Sequence, residues 1–211
     1  MQNVVLPAYV YARTGSTTMV GLMVFAQLGP LLFLSIPAGV IADRFDRRKW
    51  LIAMQLLQLT FSVLLAPLAA SDAPIWSIFL VSLGVGMGNA LNAPAWSAML
   101  PTLVSREDLA GSVSMNSAMI NGSRVVGPIL VAILRTVGVS IAQIFLINAV
   151  TYLFVVGALL RTNVPIPAKV TAVAGWRQLT SGIQIARENK PVWRLLATLF
   201  TFSLLSLPYV G

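Results

Sequence analysis

The 211-residue sequence contains no cysteine and no histidine. The chain therefore cannot form a disulfide, a thiolate or imidazole zinc site, a histidine-ligated haem, or a catalytic pair of serine or cysteine with histidine. It also lacks the GxxxxGK[ST] loop that cradles nucleotide phosphates. The sequence predicts a protein that is not an enzyme and that holds no metal and no cofactor.

Charge is scarce as well, since 9% of the residues are charged and 57% are hydrophobic. A soluble domain carries about 25% charged residues, so this chain cannot cover a water-facing surface. About 20 apolar residues in a helix cross the hydrocarbon core of a bilayer. Such runs predict an all-α integral membrane protein with spans near residues 19–42, 50–70, 75–100, 109–134 and 139–160, and a further span starting near 192.

The first apolar stretch, residues 1–11, is too short to cross a bilayer, because a helix of that length measures roughly 17 Å. We interpret it as the second half of an incomplete first helix. A cleaved signal peptide is the weaker interpretation, since no basic region and no small-residue cleavage site accompany it.

The net charge of +8 is distributed unevenly between the loops. Loops 43–49, 101–108 and 161–191 hold most of the basic residues, whereas the alternate loops hold few. Positively charged loops stay in the cytoplasm, so the charge indicates orientation rather than a nucleic-acid partner. We expect a multi-pass membrane protein with the lipid bilayer as its partner and its N-terminus in the cytoplasm.

The long connection 161–191 separates two apolar regions of the chain, so the sequence has three parts. Residues 1–160 form a predicted N-terminal transmembrane bundle, 161–191 a cytoplasmic linker, and 192–211 the start of a second bundle. Within the linker, Trp176, Leu179 and Ile183 repeat at helical spacing, which predicts an amphipathic helix on the membrane surface. A solvated linker with a chance apolar stripe is the alternative.

The loop after the second span carries the most specific pattern of the sequence. Gly39 is expected to let a neighbouring helix approach closely. Asp43 ends a helix, where a carboxylate is unfavourable unless it faces a basic residue or the N-terminus of another helix. Basic residues are expected to hold the loop at the anionic cytoplasmic leaflet. A plain positive-inside turn explains these basic residues, which include Arg44, Arg47 and Arg48, but not Gly39 and Asp43 together.

These residues resemble the signature Gly-x-Leu-Ala-Asp-Arg-x-Gly-Arg-Arg/Lys between helices two and three of the major facilitator superfamily. The sequence differs at Ile41 and at Asp46, where glycine is usual, but aspartate tolerates the left-handed turn conformation. The resemblance implies half of a fold with twelve helices in two bundles. It also implies a gating contact from Gly39 and Asp43 to a helix of the second half, in a motif that includes Arg44, Arg47 and Arg48.

Two further stretches resemble the branch of the superfamily that includes bacterial enterobactin exporters and macrolide efflux pumps. One runs from Asn92 through Trp96 to Leu109, and the other is residues 121–128. The latter ends in Gly127-Pro128, which resembles the Gly-Pro motif of helix five in exporters. The arginine motif of helix four is not evident. The resemblance implies a secondary efflux carrier for a small-molecule substrate in the inner or plasma membrane of a bacterium. Such a carrier requires a C-terminal half outside this chain.

The fifth span carries a polar stripe that is visible without the resemblance. Ser117, Asn121 and Arg124 fall within an arc of roughly 80° on one side of the helix. Arg124 lies roughly 22 Å from the cytoplasmic end, and a charge at that depth points to a functional site in a wet interior. We expect Arg124 to attract an anionic group or to organise the amides around it. The alternative is a structural arginine that donates to carbonyls of neighbouring helices.

Other spans contain single amides at membrane depth. Each is a candidate for lining the substrate pathway. The alternative interpretation, which is the more common one for an amide taken alone, is hydrogen bonding between helices. These residues are Gln27, Asn89, Asn92 and Asn148.

The fourth span also contains Gly84, Gly86 and Gly88. A GxGxG pattern binds nucleotides only between a strand and a helix. Inside an apolar span it predicts close helix packing instead.

The acidic residues limit the mechanism, because none of them falls in the middle of a span. They are Asp43, Asp46, Asp72, Glu107, Asp108 and Glu188. Coupling to protons requires a group that titrates at membrane depth, and arginine does not titrate there. If protons drive transport, residues outside this chain must bind them. The leading hypothesis is an efflux carrier. The alternatives are a membrane scaffold or inactive fragment, and a permease subunit of an ATP-driven transporter.

Overall fold

The computed structural model describes residues 2–42, 45–162 and 189–206, and the regular structure of these residues is helical. The chain falls into two compact units, residues 1–170 and 171–211. The first unit contains α1 (Gln2–Thr14), α2 (Thr17–Ala42), α3 (Arg47–Ala70), α4 (Ile75–Met99), a 3-10 turn (Leu100–Thr102), α5 (Leu109–Thr136) and α6 (Ile141–Arg161). The second contains α7 (Lys190–Ser206).

The helices confirm the membrane architecture predicted from hydrophobic runs. Five of the described helices, α2 to α6, are long and apolar enough to cross a membrane. Residues 2–14 form a helix of 13 residues. The predicted amphipathic helix of the 161–191 linker lies outside the described residues, as do Asp43 and Arg44 of the signature loop.

The start of α3 differs from the expectation for Asp46. Its backbone has φ −59°, so it does not take the left-handed conformation that a glycine there would favour. Asp46 instead caps α3, because its carboxylate accepts a hydrogen bond from the backbone nitrogen of Lys49 at 3.1 Å. The ring of Phe45 stacks on Trp50 with centroids 5.5 Å apart. The loop therefore ends in a helix cap rather than in a glycine-type turn.

The first unit is held together by two apolar clusters at opposite ends of the helices. The first cluster joins five helices and consists of Val5, Leu6, Tyr9, Val10, Met23, Leu65, Ala66, Ile78, Ile144 and Phe145. The second joins the start of α3 to the ends of α4 and α6 and consists of Leu51, Ala95, Met99 and Leu159. Packing thus fixes α3, α4 and α6 at both of their ends.

Glycines bring α4 close to its neighbours, which confirms the packing expected of that span. A Cβ at Gly86 would lie 2.3 Å from the backbone oxygen of Ala26 and 2.8 Å from that of Gln27. On another side of α4, Cβ atoms at Gly84 and Gly88 would meet side chains of α3 at 2.6 Å. Only residues without a side chain permit this separation of α2, α3 and α4.

Gly39 does not behave in this way. No described atom lies within 4 Å of the position that its Cβ would take, so the close helix approach expected there is not present in the described part of the chain.

Arg13, at the end of α1, ties that helix to the turn between α3 and α4. Its Nη1 and Nη2 donate to the backbone oxygens of Ala73 and Asp72, each at 2.8 Å. Its Nε lies 3.7 Å from Asp72 Oδ1. The hydroxyl of Tyr9, one turn earlier, donates to the backbone oxygen of Ala69 at 3.3 Å. These contacts form an arginine latch, which here means Arg13 and Tyr9 with the 69–73 backbone.

Candidate functional site

The candidate site is the middle of α5, which the described structure leaves uncovered. Near the start of the helix, Trp96 Nε1 of α4 donates to Asn116 Oδ1 at 3.1 Å. Near its end, Val131 and Leu134 pack against the first apolar cluster. Residues 117–126, between these attachments, are all exposed. The helix is held at both ends and bare along its middle.

The predicted polar stripe lies within this bare segment. Ser117, Asn121 and Arg124 are all exposed, and Asn121 Nδ2 donates to the backbone oxygen of Ser117 at 2.9 Å. The guanidinium of Arg124 makes no hydrogen bond and no ion pair with any described residue. A structural arginine would donate to carbonyls of neighbouring helices, and those bonds are not found in the described structure.

The apolar side of α5 is equally bare. Met115 is 65% exposed and Met119 is 59% exposed, so burial does not distinguish a pathway face from a lipid face. The charge of Arg124 does distinguish them, since an arginine at the bilayer centre costs about 2.5–3.5 kcal/mol or more. The polar stripe is therefore the side that requires water or protein. The Gly-Pro motif closes the segment, with Gly127 buried and Pro128 inside the helix.

The amides of α2 and α4 have different environments. Gln27 is buried where α2 meets α4, and its Nε2 has no hydrogen-bond partner among the described residues. Asn92 is half-buried, with an Oδ1 that is likewise unpaired there, and Asn89 is exposed. No hydrogen bond within the described structure joins these three residues to Arg124. Their place in a pathway stays a prediction.

Asn148 is engaged between helices, in agreement with the alternative interpretation of that amide. Its Nδ2 donates to Gln2 Oε1 of α1 at 3.3 Å and to Ser62 Oγ of α3 at 3.2 Å. The hydroxyl of Ser62 in turn donates to the backbone oxygen of Phe145 at 3.3 Å. The side chain of Asn148 thus links α1, α3 and α6 inside the bundle.

The sequence reasoning missed the residues of α3 that face this link. Ser62 and Gln58 are buried, at 0% and 2% exposure, in a span that was interpreted only as apolar. Gln55, Gln58 and Ser62 stand at i, i+3 and i+7, and that helical spacing is the signal that would have revealed a buried polar face.

We expect Asn148→Ala to lower the free energy of unfolding, because it leaves Gln2 and Ser62 without their shared donor. Hydrogen bonds between membrane helices contribute about 0.6 kcal/mol on average. A double-mutant cycle with Ser62→Ala, measured by unfolding in mixed micelles, should give a coupling of that size. Thr151→Ala is the control, since Thr151 is exposed and bonds only within α6. A coupling of zero would contradict the link.

The arginines of the signature loop bind helix ends. Arg47 Nη1 donates to the backbone oxygen of Ala98 near the end of α4 at 3.1 Å. Arg48 donates through Nε to the backbone oxygen of Leu159 at 2.7 Å, and through Nη2 to that of Leu160. These donors point at the last carbonyls of α4 and α6, which lack partners within their own helices. The sequence did not predict this role, which differs from contact with lipid headgroups.

Five described helices that are long and apolar enough to cross a membrane define a multi-pass membrane protein. The profile of the family described as transmembrane secretion effector matches residues 1–208. The chain belongs to this family of major facilitator superfamily transporters.

The relatives share a modest identity over most of the chain. The macrolide efflux protein A of Enterococcus faecalis is 26% identical over 199 residues, covering 89% of this chain and 58% of that protein. The staphyloferrin A transporter of Staphylococcus aureus is 30% identical over 155 residues, covering 72% and 38%. An enterobactin exporter of Salmonella paratyphi A is 29% identical over 212 residues, covering 99% and 46%.

The chain thus spans about half the length of the curated relatives it matches. No solved structure matches it.

Proposed function

We propose that this chain is the N-terminal part of a secondary active transporter that exports a small molecule by alternating access across the plasma membrane of a bacterium. The N-terminus faces the cytoplasm in this proposal, because the basic loops follow the positive-inside pattern. The observation that carries the proposal is the bare middle of α5, where Arg124 has no hydrogen-bond or ion-pair partner among the described residues. The names of the relatives support export of a macrolide or a siderophore.

The substrate would bind near the bilayer midplane, between this bundle and the remainder of the transporter. Arg124 supplies a fixed positive charge, which acts strongly where water is scarce. Ser117 and Asn121 lie on the same side and offer oxygen acceptors and amide donors to a polar substrate. Motion of the bundle as one body is supported by the apolar clusters at both of its ends.

No acidic residue of the sequence falls in the middle of a span. In a proton-driven mechanism the titrating group would therefore be contributed from outside this chain. The role of this bundle would be to bind substrate and to move.

Transport is tested with the complete transporter in inside-out membrane vesicles. We expect uptake of a radiolabelled macrolide or of an iron-free siderophore above that of vesicles lacking the protein, and we expect an ionophore to abolish it. Uptake equal to the control for both substrates would contradict the proposal and favour a scaffold. Uptake that survives the ionophore but requires ATP would favour a permease subunit.

A further inference from the structure

The first turn of α3 reaches across the bundle to the last turn of α6. Arg48 donates through Nε to the backbone oxygen of Leu159 at 2.7 Å and through Nη2 to that of Leu160. Since α6 ends at Arg161, both acceptors belong to the carbonyls that a helix leaves unpaired at its C-terminus. A guanidinium suits this position because it is positive, like the charge that a helix C-terminus attracts, and because its planar fork holds two acceptors at once.

The neighbouring residue Lys49 shows that charge alone does not create this contact. Lys49 lies in the same turn and carries the same charge, but it is exposed and its ammonium makes no hydrogen bond or ion pair with a described residue. Beneath Arg48, the buried side chains of Leu51 and Leu159 pack in the second apolar cluster. Arg48 therefore makes a directed contact next to packed apolar side chains. Lys49 provides the matched control for this contact.

We propose that Arg48, an arginine of the signature loop, is a positioning residue that fixes the end of α6 to the start of α3. Among the described helices, α6 is the last one of the first unit. The inference rests on the proposed function, in which the bundle rocks against the rest of the transporter. We infer that this motion exerts a force on the end of α6. With Arg48 in place, a force on the end of α6 is passed to α3 and moves the bundle as one body. Without it, the last turn of α6 unwinds and absorbs the motion.

Hydrogen–deuterium exchange on the 211-residue chain in detergent micelles tests the contact itself. In Arg48→Gln we expect the amides of residues 158–162 to exchange at least about tenfold faster, because a charge-assisted pair of bonds is lost. The reporter bond runs from Thr162 N to the backbone oxygen of Ala158 at 3.0 Å. Arg48→Lys keeps the charge without the fork and should give an intermediate rate.

Two comparisons make the exchange result decisive. Lys49→Gln should leave residues 158–162 at the wild-type rate, and amides 84–90 of α4 should stay protected in all variants, which shows that the bundle is folded. Wild-type exchange at residues 158–162 in Arg48→Gln overturns the proposal. An equal acceleration in Lys49→Gln also overturns it, because loss of charge alone would then explain the effect.

Transport by the complete transporter tests the consequence. We expect Arg48→Gln to lower kcat per folded transporter about tenfold with an unchanged KM, because the contact lies at the end of the bundle and the candidate substrate stripe lies in its middle. A purely structural role would lower the amount of folded protein and leave kcat unchanged, and that result would overturn the positioning role. If the wild type transports nothing, the proposed function fails while the exchange measurement still decides the contact.

Discussion

Gly86→Ala is expected to lower the free energy of unfolding of the bundle by about 3 kcal/mol, the upper end of the usual cost of overpacking a core. The added methyl would lie 2.3 Å from the backbone oxygen of Ala26 and 2.8 Å from that of Gln27. Backbone atoms cannot rotate away as a side chain does, so α2 and α4 must separate by about 1 Å to reach ordinary van der Waals distance. Unfolding in mixed micelles, followed by tryptophan fluorescence, measures the loss.

Gly122→Ala is the matched control for this prediction. Gly122 is also inside a membrane helix, but no described atom lies within 4 Å of its Cβ position. Alanine favours the helical backbone over glycine by up to about 1 kcal/mol, so this variant should be as stable as the wild type or slightly more stable. If the two alanine variants unfold alike, the close contact between α2 and α4 is not what stabilises the bundle.

Arg124→Ala is expected to reduce efflux by the complete transporter to background, a loss of about 100-fold or more, while the protein still reaches the membrane. The variant removes the charge of the bare segment of α5 and with it the strongest attraction for a polar substrate group. Arg124→Lys keeps the charge but not the planar fork, so we expect partial activity. Efflux from loaded cells, normalised to the amount of transporter in the membrane, is the measurement.

Arg106→Ala provides the comparison for Arg124. Arg106 is an exposed arginine in the connection before α5, so its replacement removes one positive charge outside the span. We expect efflux by this variant to stay within about twofold of the wild type, as for a surface substitution away from special features. Wild-type efflux in Arg124→Ala would assign that arginine to a structural role and remove it from the proposed pathway.

The membrane fold could be predicted because it depends on properties that add along the sequence. Length and apolarity suffice to locate α2 to α6, and hydrophobic burial in lipid does not depend on which helix is the neighbour. Gly84, Gly86 and Gly88 could be predicted as packing residues because an apolar span offers such glycines no other use.

The contacts of the arginines could not be predicted, because their acceptors are backbone carbonyls. Every residue carries one, so nothing in the sequence marks Leu159 as the partner of Arg48 or Ala73 as the partner of Arg13. The sequence therefore indicated Arg48 only as part of the signature motif, without its partner, and did not indicate a role for Arg13. Residue types can suggest which two side chains form a contact. They do not suggest the partner where a side chain binds a backbone carbonyl.

The candidate site was predictable in part. The stripe of Ser117, Asn121 and Arg124 follows from helical spacing, and these residues do share the bare segment of α5. For Asn148 the sequence left both interpretations open, because an amide looks the same whether it faces a pathway or another helix. Only the positions of Gln2 and Ser62 in space favour the second.

The arginine latch has a consequence for how the polypeptide is inserted during synthesis. Arg13 donates to carbonyls 59 and 60 residues further along, so its partners are still unmade when α1 leaves the ribosome. Until the turn after α3 has been synthesised, the guanidinium has no carbonyl partners in that turn. The hydrogen bonds of Arg13 can therefore form only after α3 has been made, so this part of the anchoring of α1 is a late event in biogenesis.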